Sequence, residues 1–222
     1  MDAALIRVIH NSEEPEIQAS AVAFHPSLPE WVTGGFDGRL QLWDFAGKNL
    51  GKILHTDAKP QETDAKPQEQ PRFIHVRFSP DGSEIAALAL NWVYFWPLAG
   101  SGVPQEAGKS VRVKGVGSCD SIEYSRDGRQ LAIACADGGI RIYDATARTL
   151  LKTITVHKDA VSNAAFSPDG TGLATASLDK TFHILPLRFE DLYFQTTRLN
   201  DAMSDDKESL RNLPPKTPVC ER

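Results

Sequence analysis

An all-β fold made of four antiparallel meanders is the fold class this sequence predicts, and three observations predict it. A short strand ending in an aromatic recurs at Phe24, Phe78, Tyr124 and Phe166, at spacings of 54, 46 and 42 residues. After each anchor a turn leads into an alternating apolar strand, and a second turn (Asp37-Gly38, Asp137-Gly138, Asp179-Lys180) leads into another. That last strand ends 18 or 19 residues past the anchor, at Trp43, Trp96, Tyr143 and Leu185. Self-similarity on this scale marks a repeat architecture, in which one supersecondary unit is copied and stacked.

Taken in order, the first copy reads "AVAFHPSLPEWVTGGFDGRLQLWDF" and opens its first hairpin with Pro-Ser-Leu-Pro. The second, "HVRFSPDGSEIAALALNWVYFWPL", and the fourth, "AFSPDGTGLATASLDKTFHILPL", use Pro-Asp-Gly; the third, "SIEYSRDGRQLAIACADGGIRIYDA", uses Arg-Asp-Gly. Gly after Asp permits the positive φ of a tight hairpin, and β-branched or aromatic residues at alternate positions fit a half-buried pleat. Fourth strands are expected at "NLGKILH" (49–55), "KSVRVKG" (109–115) and "TLLKTITVH" (149–157), but nothing comparable follows Leu187. Residues 4–10, "ALIRVIH", resemble "LKTITVH" down to the terminal His and are expected to supply the missing outer strand.

Between the first two copies, residues 56–62 are repeated letter for letter at 63–69, in a polar run with Pro60 and Pro67 that reads as a solvated loop. Residues 188–222 read as a helical or extended segment, with Phe189, Leu192, Tyr193 and Leu199 on one side, followed by a loose end.

The phrases "FSPDG", "LATASLDKT" and "GGFDGRLQLWD" resemble the blades of WD-repeat β-propellers, over roughly residues 19–187. The resemblance implies an all-β WD-repeat propeller with about four blades in this chain, near 19–55, 73–115, 119–157 and 160–187, and with 4–10 as closing strand. Such blades would form either a closed small ring or part of a larger one. It also implies a polar network within each blade that joins a loop His, a strand Ser or Thr, a turn Asp and the Trp. Asp37 and Trp43 with Thr33, Asp137, and His157 and Asp179 with Thr175 or Ser177 occupy those structural places. Trp43-Asp44 keeps the family's ending and Tyr143-Asp144 nearly does, whereas Trp96-Pro97 and Leu185-Pro186 depart from it. No copy holds the whole network, so packing between neighbouring blades is expected to carry the fold.

Composition excludes several classes of function. A net charge of −5 with scattered Lys and Arg gives no footprint for nucleic acid or for a membrane surface. The opening "MDAALIRVIHNSEEPE" lacks a basic leader, and no stretch approaches the roughly 20 apolar residues of a spanning helix, so a cytoplasmic chain is expected. Cys119, Cys135 and Cys220 form no CxxC pair and are read as separate thiols. The six histidines show no HxH or HExxH, and "GVPQEAGKS" (102–110) has five residues between its glycines where a phosphate loop has four. No catalytic, cofactor-binding or metal site is expected.

What such an architecture offers is binding. Loops before the first strand and between the second and third strands share one face of a propeller, where this chain carries Phe36, Asn91, Trp92 and Lys158. An aromatic beside a cation makes a strong protein anchor. The expected function is a non-enzymatic scaffold for protein partners, with self-association or a second chain completing the ring. Two rivals stand beside it: the regulatory sensor portion of a bacterial signalling protein whose catalytic domain lies elsewhere, and a hydrolase with an inter-blade pocket.

Overall fold

The structure, a computed structural model, describes residues 19–53, 72–98, 109–113 and 117–187, with the backbone alone at 51–53 and 109–112. The expected closing strand, the duplicated loop and the C-terminal segment lie outside them. The described residues hold strands and no helix. Blade 1 comprises β1 (Ala19–Phe24), β2 (Glu30–Gly35), β3 (Leu40–Asp44) and β4 (Asn49–Ile53). Blade 2 comprises β5 (His75–Phe78), β6 (Glu84–Ala89), β7 (Trp92–Pro97) and β8 (Lys109–Arg112). Blade 3 comprises β9 (Cys119–Tyr124), β10 (Gln130–Cys135), β11 (Gly139–Asp144) and β12 (Leu150–Thr155). Blade 4 comprises β13 (Val161–Phe166), β14 (Gly172–Ser177) and β15 (Phe182–Pro186). In every sheet the spatial order of the strands is their chain order, so all four are antiparallel meanders.

Local chemistry at the first turn explains the hairpins. In blade 2 the Ser79 hydroxyl donates to Asp81 Oδ1 at 2.6 Å, the Ser83 amide donates to the same oxygen at 3.0 Å, and the Gly82 amide closes onto the Ser79 carbonyl at 2.8 Å. Ser125-Asp127-Gly128 and Ser167-Asp169-Gly170 repeat the arrangement. Gly82 sits at φ 72°, which a side chain strains against, and a Cβ there would lie 2.3 Å from the His25 ring.

Blade 1 has no such Ser-Asp pair, and His25 takes its place. The His25 Nδ1 accepts the amides of Ser27 and Leu28 at 3.1 and 2.9 Å, so the ring proton belongs on Nε2, which donates to the Gly82 carbonyl 3.2 Å away. The turn of one blade is thereby tied to the turn of the next.

Period-2 alternation sends one set of side chains to each face of a sheet, and three apolar cores form where neighbouring faces meet. Val32, Leu40 and Leu42 of blade 1 meet Val76, Phe78, Ile85 and Trp96 of blade 2. Leu88, Val93 and Phe95 on the opposite face of blade 2 meet Ile122, Leu131 and Ile133 of blade 3. Ala132, Ala134, Ile140 and Ile142 on the far face of blade 3 meet Val161, Ala164, Leu173 and Leu185 of blade 4.

Blades 1 to 4 therefore stand in a row, each packed on the next. The closed small ring weighed from the sequence is not formed among the described residues. Phe182 and Ile184 on the far face of blade 4 are 79% and 76% exposed, and Phe24 on the outer face of blade 1 is 67% exposed, whereas closure would bury all three.

One expectation is corrected. Cys119 and Cys135, read as separate thiols, are joined in a disulfide. They are cross-strand partners on β9 and β10, 16 residues apart, at the point where the register shifts. Sheet register brings them together, and cysteine motif counting carries no information about register.

Candidate functional site

The second hairpin turn of each blade and the entry into the following blade lie at the same end of the sheets. The Phe73 amide donates to the Gly35 carbonyl at 3.1 Å and the Cys119 amide to the Leu90 carbonyl at 2.8 Å, so each entry runs along the preceding blade's turn. Together these segments form a rim.

A carboxylate braces three of the four rim turns in the same way. Asp37 Oδ1 accepts the Arg39 amide at 3.1 Å, Asp137 Oδ1 the Gly139 amide at 3.1 Å, and Asp179 Oδ1 the Thr181 amide at 2.9 Å. Such a bond, from the Asp side chain to the backbone two residues on, fixes the turn locally. Arg141 adds a two-pronged pair on Asp137, and chiefly that interaction holds the Asp137 carboxyl below its usual range.

Blade 4 carries the fullest polar network. His157 Nδ1 lies 3.1 Å from Asp179 Oδ2, and its Nε2 lies 2.8 Å from Thr175 Oγ1. Because the carboxylate can only accept, Nδ1 donates to it and Nε2 accepts from the Thr175 hydroxyl. Of the two candidates, Thr175 and Ser177, the former takes the His; Ser177 Oγ donates to the Asp159 carbonyl instead. The Thr181 hydroxyl, then the amides of Lys158 and Thr181 and the His157 ring, keep Asp179 well below the ordinary carboxylate range. In blade 1 the Trp43 indole donates to Thr33 Oγ1 at 3.0 Å, and Trp31 stacks on it.

On this braced frame the first residue of each turn is apolar: Phe36, Leu90, Ala136 and Leu178. Leu90 and Leu178 are 64% and 65% exposed, and Phe36 is partly exposed beneath the Arg72 guanidinium, 4.7 Å from its ring centre. Lys158 is exposed beside the same turns, its amide held by Asp179 at 2.9 Å.

Of the residues singled out from the sequence, Phe36 and Lys158 lie on the rim surface. The Asn91 carbonyl accepts the Val113 amide at 2.7 Å, so its backbone closes the rim. Trp92 is half-buried against the core between blades 1 and 2. Leu90, Leu178 and Arg72 were not singled out. The signal for the two leucines is their place in the repeat, one residue ahead of the turn's Asn or Asp.

A crevice between blades 2 and 3, lined by Phe95, Leu131, Tyr143 and Arg148, has room for about one water. Arg148 stacks on Phe95 at 3.7 Å and pairs with Glu84, which also accepts the Tyr124 hydroxyl at 2.7 Å. These contacts clamp two blades together, with Arg148 Nη1 buried and without a hydrogen-bond partner among the described residues. Among the described residues no group of three His, Cys, Asp or Glu is placed to hold a metal ion, and no helix is long and apolar enough to cross a membrane.

The chain matches the family model described as WD domain, G-beta repeat, at residues 5–44, 109–144 and 148–184. Among curated proteins it is similar to WD repeat and SOCS box-containing protein 1 of Takifugu rubripes, 26% identical over 77% of this chain and 40% of that protein. It is also similar to Protein groucho of Drosophila melanogaster, 24% identical over 82% of this chain and 23% of the relative. A third is the chromatin assembly factor 1 subunit FAS2 homolog of Oryza sativa subsp. japonica, 25% identical over 80% and 35%. The chain thus spans well under half the length of these relatives.

Proposed function

Because the chain belongs to the WD-domain, G-beta repeat family, we propose that it is a non-enzymatic scaffold that holds protein partners on the rim of its second hairpin turns. Repeats of this family typically serve protein interaction. The observation that carries the reading is the recurrence of an exposed apolar side chain at one turn position in three blades, Phe36, Leu90 and Leu178, with the Phe36 and Leu178 turns braced by Asp37 and Asp179. Rigid presentation lowers the ordering cost of binding, and a few apolar or aromatic anchors then dominate affinity. Arg72 and Lys158 add cations to this surface, so the partner segment it fits is apolar with acidic flanks. A cytoplasmic setting belongs to the same reading.

Peptide-display selection against the full chain tests this. Selected peptides are expected to combine apolar and acidic residues, and Leu178→Ser combined with Phe36→Ala is expected to weaken them at least tenfold while the melting temperature holds. Peptides that bind the double variant as tightly as the parent would refute the rim as the binding surface.

A further inference from the structure

The two sheet faces at the ends of the row, open on blade 4 at Phe182 and Ile184 and on blade 1 at Val22 and Phe24, are the two halves of the interface that the chain already uses internally. On the far face of blade 3, Ala132 pairs with Ile142 and Ala134 with Ile140 across β10 and β11, and all four are buried against blade 4. On the far face of blade 4 the same register positions hold Ala174 with Ile184 and Ala176 with Phe182 across β14 and β15. There the alanines are exposed, as are Phe182 and Ile184. The residue set that buries completely in one blade is repeated in the next with nothing against it among the described residues.

The complementary half lies at the other end. Blade 4 meets blade 3 through the cross-strand row Phe166, Leu173, Leu185. In blade 1 the corresponding row is Phe24, Trp31, Trp43, with Val22 beside it, and this row faces away from blade 2. The equivalents of Val22 and Phe24 are Val76 and Phe78 in blade 2 and Ile122 and Tyr124 in blade 3, and all four are buried. Val22 and Phe24 remain open to solvent. Among the described residues, the Val22 and Phe24 end of an aromatic-rich row has no receiving blade, although Trp43 is itself buried, and an Ala-and-branched face has no inserting row. A contact of this kind is heterologous: one surface docks on a different surface of the partner, and it forms a closed ring when the rotation closes.

We propose that a second copy of this chain covers both faces, blade 4 of each copy receiving blade 1 of the other, so that two copies close a single ring through two identical junctions. This goes beyond the rim reading, because the junctions use sheet faces and leave the rim turns open.

Native mass spectrometry of the full chain, with paired variants, tests it. The parent is expected at twice 24.3 kDa. Val22→Glu with Phe24→Glu spoils the blade 1 face, and Phe182→Glu with Ile184→Glu spoils the blade 4 face. Each variant alone is expected to be monomeric, with its dimer dissociation constant raised at least about 100-fold. All four side chains are exposed in the single chain, so circular dichroism is expected to show unchanged sheet content in both variants. Mixing the two restores one intact junction, and the mixture is expected to form a one-to-one dimer that neither forms alone. A parent that stays monomeric at about 100 μM, a variant that dimerises by itself, or a ladder of masses beyond two copies would each overturn the proposal.

Discussion

Leu90 shows how a single residue is held exposed on a rim turn at the expense of local comfort. Its φ of 54° lies in the left-handed region, where a non-glycine residue is held about 1 kcal/mol above its relaxed state. The turn between β6 and β7 imposes that backbone, and the side chain is left 64% exposed. Asn tolerates this region better than Leu. Leu90→Asn is therefore expected to stabilise the chain by about 0.5–1 kcal/mol in urea unfolding and, in the same protein, to weaken rim-binding peptides several-fold. A substitution that lowers both stability and binding would mean that Leu90 is a packing residue. Its exposure was hidden in the sequence because "LAL" ahead of the turn at Asn91 reads as one apolar run, and only the hairpin register separates the buried Ala89 from the exposed Leu90.

At the scale of elements, much of the fold was legible because turn chemistry is local. The Ser-x-Asp-Gly units place the first hairpin in three blades, and the alternating strands between turns assign each face. What was not legible depends on register or on contacts between blades. The disulfide is one instance; the His25 turn, which is secured through the Gly82 carbonyl of the next blade, is another. The rim site was legible only in part, since Phe36 and Lys158 announce themselves by residue type while Trp92 is drawn into the core.

A third inter-element contact sets a pH dependence. His75 on β5 accepts the Ile122 amide of β9 at 3.0 Å, and burial first, then the Arg77 charge, lowers its pKa to about 4. The unfolded imidazole titrates near 6.5, so below that pH protons bind the unfolded chain more tightly than the folded one. Stability is expected to fall as pH drops from about 6.5 to about 4 and then to level off, by an amount on the order of 2 kcal/mol once partial solvent screening is allowed for. Asp81, Asp127, Asp137, Asp169 and Asp179 all have lowered pKa values, so the stability they contribute is lost only below about 4. His75→Asn, which keeps an acceptor for the Ile122 amide, is expected to abolish the upper window in urea titrations and leave the lower one. An unchanged upper window would assign it to another group.

At the scale of the molecule, the described residues form a stack: each meander has two faces, and three buried cores join the four meanders into one row. The inner contacts give rigidity, and the braced turns along one end convert that rigidity into a surface. Amide hydrogen exchange on the full chain, with and without a saturating selected peptide, tests most directly whether that surface is where the molecule acts. The predicted result is slowed exchange at Phe36–Arg39, Leu90–Asn91, Lys158–Ala160 and Leu178–Thr181, with the opposite end of the sheets unchanged. Slowing confined to the Ser-x-Asp-Gly turns or to the Arg148 crevice would contradict the account.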